Sequence, residues 1–460
     1  MPLKPLSSIV EVRPNLAQGV AIVLVTYVTY YIAFAIYNVF FHPLARFPGP
    51  KLWSISRLPL IRAHFKGKLH HHFQAAHETY GPIVRIAPNE LTTTDPAAWK
   101  DLYQSRPALP KDPFSLTPPL NGADSLFTAN GETHGRIRRL FSTAFSEKAL
   151  KEQIPVIESQ VNDFVLKIRR DIAVSGATNF DIAKLYGYVA LDIVGELCFG
   201  EALHSLENDS ENNLIPAFAL GAKFGSLRTS MSRFYPWDMI IGFFALRFTA
   251  KRRNATWNMM TRWITRRLEM GHLGTGRSDF VTPVIGNIEN GKKDSISRAE
   301  LDTNIGAIAL AGSALPTVAL TTATYFILRN PHVLHTLKEE IRSKFSSELE
   351  INVESTKDLT YLDAVISETL RIHRATPSQL PRVINKGGQM VCGEFIPGGT
   401  VMGIALHATQ TSSANWVEPY GFYPERWLNE KHALYNSRFS ADNKEAYRPF
   451  SAGPRNCIGN

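Results

Sequence analysis

Cysteine is scarce in this 460-residue sequence: Cys198, Cys392 and Cys457 are far apart and odd in number. No CxxC pair occurs, which disfavours a zinc ribbon or a disulfide framework. No internal repeat is present. With 44% hydrophobic and 10% aromatic residues, the chain is not disordered and can bury a sizeable core. Its length suits one large domain or two to three ordinary ones. Neither sign of charge dominates, since 50 basic residues stand against 41 acidic ones, a net of +9. That surplus does not call for nucleic acid. An anionic membrane surface or an acidic protein partner fits it as well.

Long apolar runs are few. The first, Gly19 to Tyr37, reads GVAIVLVTYVTYYIAFAIY and carries no charge. As a helix of nineteen residues it spans roughly 28 Å, about one bilayer core. Its tyrosines cluster toward the C-terminal end, where an interfacial belt belongs. A cleaved signal peptide is the rival, but its apolar region is normally shorter and no small-residue cleavage site follows. Arg46, Lys51, Arg57, Arg62, Lys66 and Lys68 follow the run, against Lys4 and Arg13 before it. The positive-inside rule therefore puts the large C-terminal part in the cytosol. The sequons at Asn208 and Asn254 then carry no meaning. The prolines of FHPLARFPGPKLW forbid a continuing helix and make a stiff hinge. The expected organisation is a lumenal segment over 1–18, a membrane anchor over 19–41, a proline-rich hinge over 42–52 and one domain over 53–460.

Within that domain, GPIVRIAPNELTTTD and PRVINKGGQMVCGEFIPGGTVMGIAL read as short strands with turns, and the stretch from Gly131 to Asn330 as helices. A helix should be capped near Ser146-Glu147, and KLYGYVALDIVGELCFGEAL should close at Gly200. Residues 287–300 read as a polar surface loop. The second long apolar run, Leu301 to Pro331, is apolar almost all round and is expected to be buried on all sides. Residues 415–460 read as irregular. The fold class is mainly α with a small β region.

Cys457 lies in PFSAGPRNCIGN, the pattern Phe450-x-x-Gly453-x-Arg455-x-Cys457. Gly453 permits a tight loop with positive φ, and a glycine-bearing loop lets backbone approach a flat ligand. Phe450 can shield the sulfur, Arg455 can pair with a carboxylate, and nearby N–H groups can keep the sulfur ionised. This is a way to build a protected thiolate ligand for iron. Glu368 and Arg371 stand three apart on one helix face, and FYPERW supplies Arg426 later.

The loop resembles the haem-binding loop of the cytochrome P450 family. The resemblance covers essentially the whole chain and looks like the membrane-anchored fungal branch. It implies haem b with Cys457 as the iron ligand, and a structural Glu368–Arg371–Arg426 network that holds the loop. His134 and Arg138, one turn apart on a basic helix, are implied as donors to the haem propionates, with Arg382 as a further one. It also implies an endoplasmic reticulum location, electrons from NADPH-cytochrome P450 reductase docked near Arg136 and Arg139, and a small apolar substrate held between residues 113–127 and the Phe224–Phe248 segment. The activity implied is insertion of one oxygen atom from dioxygen, in fungal secondary metabolism.

Two departures stand out. The family's acid–alcohol pair in the long helix is replaced by Ala314 and Leu315, followed by Pro316. Neither can relay a proton. Three readings follow: Thr317 or Ser313 holds a substitute water; the substrate's hydroxyl serves, or the reaction is an isomerisation or dehydration; or catalysis is impaired. The second departure is that the family continues past the cysteine into a helix and strands, whereas here Ile458, Gly459 and Asn460 follow. An inactive haem-binding remnant is therefore an alternative.

Overall fold

A computed structural model describes residues 16–460, apart from 118, 177, 209–213, 235–236, 272–275, 277–278 and 289–294. Most of the expected lumenal segment therefore lies outside the described residues, as do residues 289–294 of the expected polar loop over 287–300; the end of that loop is not loop, because Arg298–Glu300 open a helix.

The first apolar run forms a helix, Leu16–Ile36, extended by a π-helical turn, Tyr37–Phe41. Its side chains are exposed, and it is long and apolar enough to cross a membrane. The proline-rich segment after it is anchored at several points. Leu44 and Phe47 are buried beside Leu91, Trp99 and Ile396. Arg85 is buried and donates from Nη1 to the Asn38 carbonyl at 2.7 Å, and its N–H meets the Pro48 carbonyl at 2.8 Å. A Cβ at Gly49 would sit 2.3 Å from the Arg85 carbonyl oxygen, so only glycine permits that approach.

A four-stranded sheet follows the order β1 (Ile83–Ala87), β2 (Glu90–Thr93), β6 (Val401–Ile404), β3 (Arg382–Val383). β2 and β6 run parallel, with Leu91 opposite Met402, and this pairing ties the two ends of the domain together. β4 (Gln389–Val391) and β5 (Glu394–Ile396) form a separate hairpin. Helices make up the rest, and local signals account for their boundaries. Ser146 caps the helix Glu147–Ser175 by accepting from the Ala149 N–H. The helix Ile182–Phe199 ends on Gly200 at φ 79°, the left-handed conformation glycine adopts without cost. The central helix, Arg298–Arg329, starts with a capping box of Ser297 and Glu300. From Ser412 to Asn460 the only helical pieces are short 3₁₀ turns.

The central helix corrects one expectation. Its first half is buried at Leu301, Ile305, Ile308 and Ala309. Its second half is not enclosed: Leu315 is 39% exposed, Leu320 45% and Leu328 64%. An apolar composition shows that a helix needs cover, but not which neighbour supplies it.

Candidate haem-binding site

The segment before Cys457 is a bend closed by the Cys457 N–H donating to the Phe450 carbonyl at 2.9 Å. Two positive-φ residues shape it, Ser451 at 64° and Gly453 at 75°. A Cβ on Gly453 would lie 1.9 Å from the Tyr103 carbonyl oxygen. Glycine is therefore required twice over, by its dihedral and by the backbone it lies on. Cys457 is exposed, and Phe450 is 39% exposed.

Around this loop the structure gathers cations without carboxylates. Arg455 donates to the Ala129 carbonyl at 2.8 Å and to Asn130 Oδ1 at 2.9 Å. Arg138 grips Asn456 through its carbonyl and its Oδ1, at 2.8 and 2.7 Å. Arg382 is buried over the Tyr103 ring and makes only long bonds, of 3.2 Å, to the Leu380 and Pro381 carbonyls. His134 is buried on the same helix as Arg138. Lys111, which the motifs did not single out, bridges to Arg382 through backbone and reaches the Leu126 and Phe127 carbonyls.

Mutual repulsion adds to burial here. Burial first, then Arg455, Lys111, Arg138 and Arg382, push the His134 imidazole down to about 4. Burial, then Arg455 and Arg382, bring the Lys111 amine down to about 7. Burial and Arg382 lower Arg455 to about 10. Burial lowers Arg138, and Cys457 opposes that shift, which places the sulfur within electrostatic reach of the guanidinium. None of these five groups pairs with a carboxylate among the described residues. Clustered cations deprived of water and of counter-ions make a site shaped for an anion.

Behind the loop lies the expected network. Glu368, Arg371 and Arg426 have fully buried side chains. Glu368 accepts twice from Arg371 at 2.8 Å and once from Arg426 Nε at 3.1 Å. It also accepts from the Trp427 indole and the Tyr423 N–H, both at 3.0 Å. Asp442 takes the far side of Arg426 at 2.5 Å. Arg371 spends its remaining donors on the Gln410, Pro419 and Gly421 carbonyls. Arg374, just beyond, holds the Arg448 and Pro449 carbonyls at the entry to the cysteine loop. The network thus fixes the segment that leads into that loop. Asp442 and Trp427 were not foreseen: Asp442 stands 16 residues past Arg426 in a stretch that carries no motif.

Thr317 donates its hydroxyl to the Ser313 carbonyl at 2.7 Å, and its methyl group faces Gly187 on the neighbouring helix. It lies about 200° around the helix from Leu315. Arg136 is not a free docking cation, because it pairs with Glu300 at 2.5 Å and with the Ser295 carbonyl. Glu300 sits in the first turn of the central helix, where the Ser297 N–H and the helix N-terminus also favour its charge.

A cavity of about 760 Å³ opens between the 113–120 segment, the helices Leu214–Met231 and Trp237–Glu269, and Leu310 of the central helix. Phe114, Phe224 and Phe243 line it, in the two stretches expected as substrate walls. The side chain of Phe248 lies outside the described residues.

The family model for cytochrome P450 matches residues 47–460. The chain belongs to the cytochrome P450 family. It is 37% identical over 92% of its length to an averantin hydroxylase of Dothistroma septosporum, covering 78% of that protein. It is 35% identical to the monooxygenase stcF of Emericella nidulans, with 94% and 87% of the two chains covered. It is also 35% identical to the monooxygenase atr2 of Stereocaulon alpinum, with 94% and 84% covered. Family membership makes this chain a haem-thiolate oxidoreductase that incorporates oxygen from dioxygen, and its relatives are fungal secondary-metabolite monooxygenases.

Proposed function

We propose that the chain is an anchored monooxygenase of the endoplasmic reticulum, with its domain in the cytosol, fed by NADPH-cytochrome P450 reductase. It binds haem b and hydroxylates a small apolar metabolite. The observation that carries this reading is the set of five basic side chains, three of them arginines, that have no carboxylate partner among the described residues beside the Gly453–Cys457 loop. Arg382, Arg455, Lys111, His134 and Arg138 would hold the two propionates, and Cys457 would ligate the iron. The iron, once bound, supplies dioxygen activation.

The chain's own residues do the rest. The Phe450 carbonyl holds the Cys457 N–H and so fixes the bend that presents the sulfur. Glu368, Arg371 and Arg426 fix the approach to the loop. The walls around Phe114, Phe224 and Leu310 exclude water from the substrate. Thr317 is poorly turned to deliver protons, since its hydroxyl proton is held by Ser313. Pro316 has no N–H, so the Gly312 carbonyl lacks its helical donor and can hold a water in that place.

Pyridine haemochromogen analysis of the purified chain tests the cofactor assignment. The expectation is one haem b per chain, lost when Arg382 and Arg455 are both changed to Ala. Equal haem content in that double variant would refute the assignment of the cationic cluster.

A further inference from the structure

Tyr103 belongs to none of the sequence motifs, yet it touches both halves of the proposed haem site. It ends the π-helical turn Trp99–Tyr103 and is 3% exposed. Its carbonyl lies against Gly453, where an added Cβ would strike it. Its ring lies under Arg382, with the guanidinium carbon 4.8 Å from the ring centre. One residue therefore seats the cysteine loop with its backbone and an arginine of the cationic cluster with its side chain.

The ring is held in one orientation. Its hydroxyl donates to the Leu380 carbonyl at 2.9 Å and accepts from the Ile404 N–H at 3.2 Å. Trp99 packs on it with 5.0 Å between ring centres. Leu380 leads into β3 and Ile404 ends β6, the two strands that pair through Arg382 and Met402. Ring and arginine are thus tied to the same backbone frame.

Arg382 has little else to fix it. Both of its bonds to protein leave from Nη1, and both are 3.2 Å long. Its Nε and Nη2 hold no partner among the described residues, and neither is sealed from solvent. Lys111 and Arg455 are close enough to repel it. An aromatic face attracts a desolvated cation more strongly than an exposed one. The ring is therefore the main support that leaves those two nitrogens open to a ligand.

Resting on the reading of the cationic cluster as the propionate site, we propose that Tyr103 is a positioning residue for the haem. Its ring holds the Arg382 guanidinium with Nε and Nη2 available to a propionate, and its carbonyl keeps the cysteine loop in register with that arginine. The ring acts through Arg382 and not on the haem itself.

The test compares two replacements. Tyr103→Phe and Tyr103→Leu both lose the hydroxyl bonds to Leu380 and Ile404, but only Tyr103→Leu loses the aromatic face. Each is made with Arg382 present and in an Arg382→Met background. The haem-loaded full chain is mixed with excess apomyoglobin, and haem transfer is followed by visible absorbance. With Arg382 present, Tyr103→Leu should release haem at least about threefold faster than Tyr103→Phe, as loss of a desolvated cation–π contact implies. With Arg382→Met the two should release it at equal rates, because the ring then has no cation to hold. Equal rates in the first comparison, or the same difference surviving in the second, overturn the proposal. So does a Tyr103→Leu chain that loads less haem than Arg382→Met, since the ring would then act on more than this arginine. If Arg382→Met alone releases haem no faster than wild type, the propionate reading of the cluster fails and takes the proposal with it.

Discussion

Glu368→Gln is the sharpest probe of the network behind the cysteine loop. The carboxylate accepts five hydrogen bonds, three of them from two guanidinium groups, and no side chain in the Glu368–Arg371–Arg426 trio reaches solvent. Glutamine keeps one acceptor oxygen and turns an NH₂ group toward donors. Arg371 then has only backbone carbonyls, and Arg426 has Asp442 alone among carboxylates. Removing one partner of a buried ion pair costs about 3–5 kcal/mol. Total stability is about 5–15 kcal/mol, so the change removes about a fifth of it or more. Urea unfolding of the detergent-solubilised chain measures this directly. The midpoint should fall sharply and haem content should fall with it. Glu348→Gln, at the exposed pair with Arg169, is the control and should leave the midpoint in place. A Glu368→Gln midpoint indistinguishable from that control would refute the claim that the network holds the fold.

Gly453→Ala should prevent haem loading while leaving most helical content intact, because the added methyl meets the Tyr103 carbonyl; visible absorbance and circular dichroism read the two separately. Lys111 titrates near 7 in the unloaded chain and an anion favours its charged form, so haem affinity should fall as pH rises above about 7. Lys111→Met should lower affinity at pH 6 and flatten that dependence. Arg85→Ala releases the Asn38 carbonyl and should speed proteolysis between the anchor and the domain without altering haem content. Leu315→Thr restores an alcohol on the open face of the central helix. It should raise the ratio of product to peroxide; an unchanged ratio would show that proton delivery runs elsewhere.

Local signals were legible in the sequence. The cap at Ser146, the stop at Gly200 and the strand-like runs each depend on a few neighbouring residues, and the structure places them as read. The ExxR and PERW pair was also visible, because both halves have their own patterns. What the sequence did not reveal depends on distant chain segments. The parallel pairing of β2 with β6 joins residues more than three hundred positions apart. Asp442 and Lys111 belong to no pattern and acquire their places only from the fold. Arg136 looked like a solvated basic stripe, since its partner Glu300 lies 164 positions away. Thr317 had the right chemistry, but its hydroxyl and methyl group are both committed within the helix layer.

The central claim is that the loop at Gly453–Cys457 and its ring of cations hold haem iron by a thiolate. The carbon monoxide difference spectrum of the reduced, expressed chain tests it most directly. The structure predicts a strongly red-shifted Soret band that disappears in Cys457→Ser. Absence of that band from a folded wild-type chain supplied with haem, or its survival in Cys457→Ser, would contradict the account.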